Sequence, residues 1–120
     1  MDTQFNYTGP LPTPATIEEI EAENDYADRF LPPAAKTIRT RICDRSFHIA
    51  EFYHDEYMGS GGDWDYPIKP DFETRILERE QEADRAEFKA FLNQTIGFYV
   101  ARGWVNEPIV KACRIALRWS

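Results

Sequence analysis

Apolar residues in this chain recur at three- and four-residue spacing, and nowhere do they alternate with polar ones over a strand's length, so helices are the only regular elements it is patterned to build. The fold class that follows is all-α, a bundle or an irregular helical array. At 120 residues the chain is sized for one domain able to bury a core without disulfide or metal support. We therefore expect an extended Pro-rich arm over residues 1–15 and a single helical domain of four to five helices over 16–120.

The breakers place the elements. Residues 1–15 hold three prolines and a glycine and show no periodicity. Phe5, Tyr7 and Leu11 make this arm apolar enough to lie over a groove. Thr16 and Glu19 form a capping box that opens a first helix, ended by Pro32 and Pro33. A second helix is expected over about 34–58, with Ile38, Ile42, Ile49, Phe52 and Tyr53 on its buried side. The segment GSGGDWDYPIKP, residues 59–70, reads as the one long loop.

Asp71 is placed to cap a third helix running to Arg102, either continuous or broken near Asp84, where EREQEADR interrupts the apolar side and reads as a solvated face. Phe72, Ile76, Leu77, Phe88, Phe91, Leu92, Ile96, Tyr99 and Val100 supply its buried side. Gly103 stops it as a C-cap glycine does. Asn106 and Pro108 then open a last helix with Ile109, Val110, Cys113, Ala116 and Leu117 on its apolar face. Lys111, Arg114 and Arg118 make a basic stripe opposite. Cys43 and Cys113 read as buried, unpaired small hydrophobes.

Charge comes in blocks. The formal net charge is -7. From Met1 to Leu31 there are seven acids and one base. In the second helix Lys36, Arg39, Arg41 and Arg45 precede Glu51, Asp55 and Glu56, which opposes the helix dipole at both ends. That placement needs partners, inside the fold or outside it.

Little in the chain can carry chemistry. GSGG lacks the lysine and hydroxyl residue of a phosphate loop and follows no strand. Neither histidine has a nucleophile's local signature around it. His48, Glu51, His54 and Asp55 line up over two helical turns, and Glu51 to His54 matches the Glu-x-x-His element of di-metal bundles, but such sites use the element twice and the chain holds it once, with Arg45 three residues before His48. A mononuclear metal enzyme on His48, Glu51 and His54 is the catalytic alternative. The expectation is no enzyme, no cofactor and no metal. No apolar run is long enough to span a membrane, and no export signal is evident, so a cytoplasmic location is expected.

Binding is the remaining reading. Glu18, Glu19, Glu21, Glu23, Asp25 and Asp28 on the first helix, with Glu78, Glu80, Glu82 and Asp84 on the third, can mimic a phosphate track facing a basic protein surface. Trp64 and Tyr66 in the long loop add aromatic anchors of the kind that dominate interfaces. Direct nucleic-acid binding is not expected of a chain with an isoelectric point near 4.8. In size, acidity and lack of motifs the chain resembles phage-type regulators and anti-defence inhibitors, an analogy of composition alone. The structural alternative is an accessory subunit that docks through its arm and aromatic loop.

Overall fold

The computed structural model describes residues 14–62 and 68–120, which form four α-helices and, among the described residues, no strand. α1 spans Ile17–Phe30, α2 Pro33–Gly59, α3 Phe72–Val100 and α4 Pro108–Trp119. The fold is all-α. No described helix is long and apolar enough to cross a membrane. The expected N-terminal arm lies almost wholly outside the described residues.

Local chemistry sets each helix end. The Thr16 hydroxyl accepts from the Glu19 N–H at 3.1 Å, and the Glu19 carboxylate accepts from the Ala15 N–H at 3.2 Å, one residue earlier than in a regular capping box. Pro33 opens α2 at its first turn, where a missing N–H costs nothing, so only Leu31 and Pro32 separate α1 from α2. The Asp71 carboxylate accepts from the Thr74 N–H at 2.7 Å and caps α3, which runs unbroken through Asp84. Beyond Val100, Gly103 adopts φ +76 and its N–H reaches the Val100 carbonyl at 2.9 Å. The cap of α4 is Glu107 rather than the expected Asn106, because Pro108 at the first helical position holds the residue before it extended.

α2 and α3 form a long antiparallel hairpin. Its seam on α2 follows Ala35, Ile38, Ile42, Arg45, Ile49 and Phe52, alternating steps of three and four as two helices packed at a shallow angle require. The core occupies one end only. There α1 and α4 pack on the hairpin, and Ala27, Leu31, Ala35, Ile38, Phe88, Leu92, Cys113 and Ile115 are buried together. Full burial of a side chain such as Leu92 or Ile115 contributes about 1.5–3 kcal/mol. The other half of the hairpin projects as an arm, so the molecule measures 57 × 29 × 22 Å. On that arm no described apolar side chain is buried, and Phe72, expected in the core, is 76% exposed.

Three further expectations need correcting. EREQEADR is a solvated face only in part: Arg79, Glu80, Glu82, Ala83 and Arg85 are exposed, but Asp84 is buried in the seam, and the Gln81 amide donates to the Ile42 carbonyl at 3.1 Å and to the Ser46 hydroxyl. The apolar stripe stops there because the hairpin carries a polar layer. The apolar face of α4 is wider than expected, since Ala112 and Ile115 are buried along with Val110, Cys113 and Ala116, and Lys111, Arg114 and Arg118 share the narrow side that remains. Cys43 is exposed, and both cysteines are free thiols.

Candidate partner-binding surface

The carboxylates divide into two groups. On α1, Glu23 turns inward to pair with Arg118 of α4, and Asp28 accepts from Arg39 of α2 at 2.7 Å. On α3, Glu80 pairs with Arg45 at 2.9 Å, Glu87 pairs with Arg41 at 3.0 Å, and Asp84 pairs with Arg45. The basic first half of α2 is thus matched by acids of its own fold, which explains a charge order that opposes the helix dipole. Glu78 lies under the Tyr53 hydroxyl, 3.4 Å away. Partial burial, reinforced by that carboxylate, raises the Tyr53 pKa.

The outward group is smaller than the sequence suggests. Glu18, Glu19, Glu21 and Asp25 stay exposed on α1 with no cation paired to them among the described residues, and Glu82 does the same on α3. Glu18, Glu21 and Asp25, at steps of three and four, share one side of α1. Glu23, Asp28, Glu80 and Asp84 are engaged inside the molecule. Trp64 and Tyr66 lie outside the described residues.

The expected basic stripe on α4 is largely engaged within the molecule, although Lys111 stays exposed. Arg118 holds Glu23, Arg114 is half-buried with its pKa lowered by desolvation, and the Lys111 ammonium sits 4.8 Å from the centre of the Tyr26 ring.

The line of His48, Glu51, His54 and Asp55 belongs to a larger exposed surface. Asp44, Phe47, His48, Glu51, His54, Asp55 and Met58 are all exposed and recur at helical steps along the side of α2 that faces away from the seam. Phe47 is 66% and Met58 61% exposed. The spacing is legible in the sequence, but Phe47 and Met58 fall outside the buried stripe, and the two histidines draw attention to ligand chemistry instead. Geometrically, His54 Nδ1 lies 3.6 Å from Asp55, and Phe47 stacks edge-on against His48. Among the described residues no three His, Cys, Asp or Glu side chains converge as metal ligands do.

The molecule also has a cavity of about 390 Å³ where α4 ends against the hairpin. Ile42, Phe88, Ile115 and Trp119 form its apolar part, while Arg39, Arg85 and Cys43 stand around it. No family model, no curated protein and no solved structure matches the chain.

Proposed function

We propose that this chain acts by binding another protein, with no reaction of its own, and that the partner presents an apolar groove with a basic rim. The observation that carries this reading is the outer face of α2, where Phe47 and Met58 stand exposed among Asp44, Glu51 and Asp55, and Glu51 and Asp44 have no paired cation among the described residues. Large apolar side chains at helical spacing, bordered by one sign of charge, suit a helix laid into a groove. The free carboxylates of α1 add a second, purely electrostatic contact. The consequence for the partner is occlusion of its basic surface, hence inhibition or modulation, and a nucleic-acid-handling protein or a phage-type target fits that surface chemistry.

Affinity capture from the source cell tests this with three baits: the parent chain, a Phe47→Ser/Met58→Ser variant and a Glu18→Gln/Glu21→Gln/Asp25→Gln variant. A protein retained by the parent should be lost with the first variant and held more weakly by the second. Its retention should fall between low and physiological salt, because exposed charges are screened over about 8 Å at physiological ionic strength. Equal capture by all three baits overturns the proposal. Loss with the first variant and no salt dependence favours the second reading, an accessory subunit docked by apolar contact alone, which the uncovered hairpin arm supports.

A further inference from the structure

We infer that the outer face of α2 pairs with the same face of a second copy of this chain, the two helices lying antiparallel about a two-fold axis level with Phe52 and Tyr53. This pairing rests on the reading of that face as a contact surface, and a foreign partner has to displace the second copy to reach it. The exposed Phe47 and Met58 stand three helical turns apart, about 16 Å, with Glu51 and His54 between them at steps of four, three and four. That is the spacing of a coiled-coil seam, and no described residue covers it.

The face is its own complement in one register. With Phe47 set on Met58 of the second copy, Glu51 meets His54 within the seam and His48 meets Asp55 beside it, each contact occurring twice by symmetry. An imidazole N–H donates to a carboxylate in either its neutral or its charged form. Asp44 comes level with Gly61, so no carboxylate falls opposite another. Sliding by one heptad sets Phe47 on Glu51 or Met58 on His54, and a parallel pairing sets Glu51 on Glu51. Direction and register are therefore both specified. Each α2 overlaps its copy only over residues 46–59, about 21 Å, while α1 and α4 pack at the far end beside Ala35 and Ile38. The two bodies point away from each other and leave the contact clear. A single helix pair of that length belongs with the small, transient interfaces, so the dimer forms as concentration rises.

Sedimentation velocity of the purified chain over about 5–500 µM tests the pairing. The average mass of the parent should climb from that of one chain toward that of two, and Phe47→Ser/Met58→Ser should stay monomeric throughout. His54→Glu, which sets carboxylate against carboxylate twice, should weaken dimerisation by about tenfold, and adding Glu51→Lys should restore it to within about threefold of the parent. Phe72→Ser, on α3 and outside the overlap, should dimerise like the parent. All these positions are exposed, so the helical circular dichroism signal should stay as in the parent. A parent that is monomeric throughout, a Phe47→Ser/Met58→Ser variant that still dimerises, equal loss from Phe72→Ser, or a Glu51→Lys/His54→Glu variant no tighter than His54→Glu overturns the pairing. The chain is measured alone, so a monomeric parent leaves the proposed partner contact to its own capture test.

Discussion

Asp84 of α3 lies directly beneath Arg45 of α2, its carboxylate only 11% exposed, so the centre of the hairpin seam is an ion pair where the heptad pattern would place two apolar side chains. Glu80 holds the other end of the same guanidinium at 2.9 Å, and Gln81 ties the neighbouring turn to Ser46. Removing Arg45 leaves the desolvated Asp84 carboxylate with only the longer contact to Arg41 at 3.7 Å, so Arg45→Ala should cost about 3 kcal/mol in urea unfolding. Replacing both, Arg45→Leu with Asp84→Leu, should return stability to within about 1 kcal/mol of the parent or exceed it. If the double variant instead loses the sum of the two single losses, the pair is not coupled.

The two ends of the hairpin should respond differently to truncation. Leu92 is fully buried between α3, α4 and the start of α2, so Leu92→Ala should destabilise by about 2–5 kcal/mol. Phe72 belongs to the same helix and the same apolar count in sequence, yet it is 76% exposed at the tip of the arm. Phe72→Ala should therefore change stability by no more than about 0.5 kcal/mol. Chemical denaturation of the two variants checks both values, and a large loss from Phe72→Ala would show that the arm is covered in solution.

That contrast marks how far the sequence could be read. Helix number, order and most boundaries follow from local signals, because Thr16, Pro33, Asp71, Gly103 and Pro108 each act within one turn. Which half of a long amphipathic helix is covered depends on where its neighbours stop. Phe72 and Ile76 have the right spacing for a core but lie beyond the reach of α1 and α4. Asp84 shows the converse: a carboxylate inside a charged run looks solvated until the partner helix brings Arg45 to it. The candidate surface was half visible for the same reason. The outward acids Glu18, Glu21 and Asp25 were found as a block, but which members would be consumed by Arg39, Arg45 and Arg118 is a long-range property. The face carrying Phe47 and Met58 reads as helix surface in sequence, and only its lack of a neighbour among the described residues makes it a candidate contact.

Gly103 should tolerate no ordinary residue without cost. Its φ of +76 belongs to the left-handed region, and a Cβ added there would meet no heavy atom within 4 Å, so any penalty is conformational rather than steric contact with neighbours. Gly103→Ala should lower stability by about 1–2 kcal/mol, and Gly103→Asn should lose less. A thermal melt ranks the three chains, and equal melting temperatures would show that the turn into α4 relaxes freely.

The two thiols should differ in reactivity by their surroundings alone. Cys43 is exposed, whereas burial among Ala27, Ile115 and the rest of the core pushes the Cys113 thiol up to about 12 from its ordinary 9.0. Thiolate is the reactive form, so near pH 8 one equivalent of iodoacetamide should add at Cys43 and Cys113 should label only as fast as the chain unfolds. The raised value also sets a stability window. A neutral thiol is favoured in the folded state, so this contribution is complete below the unfolded value of 9.0 and is lost as pH climbs from there toward about 12. In Cys113→Ala that segment of the alkaline decline should flatten relative to the parent, while the cavity lowers stability at every pH by about 1 kcal/mol. Denaturant midpoints collected from neutral to alkaline pH on both chains provide the check, and parallel declines would mean that Cys113 ionises as easily folded as unfolded.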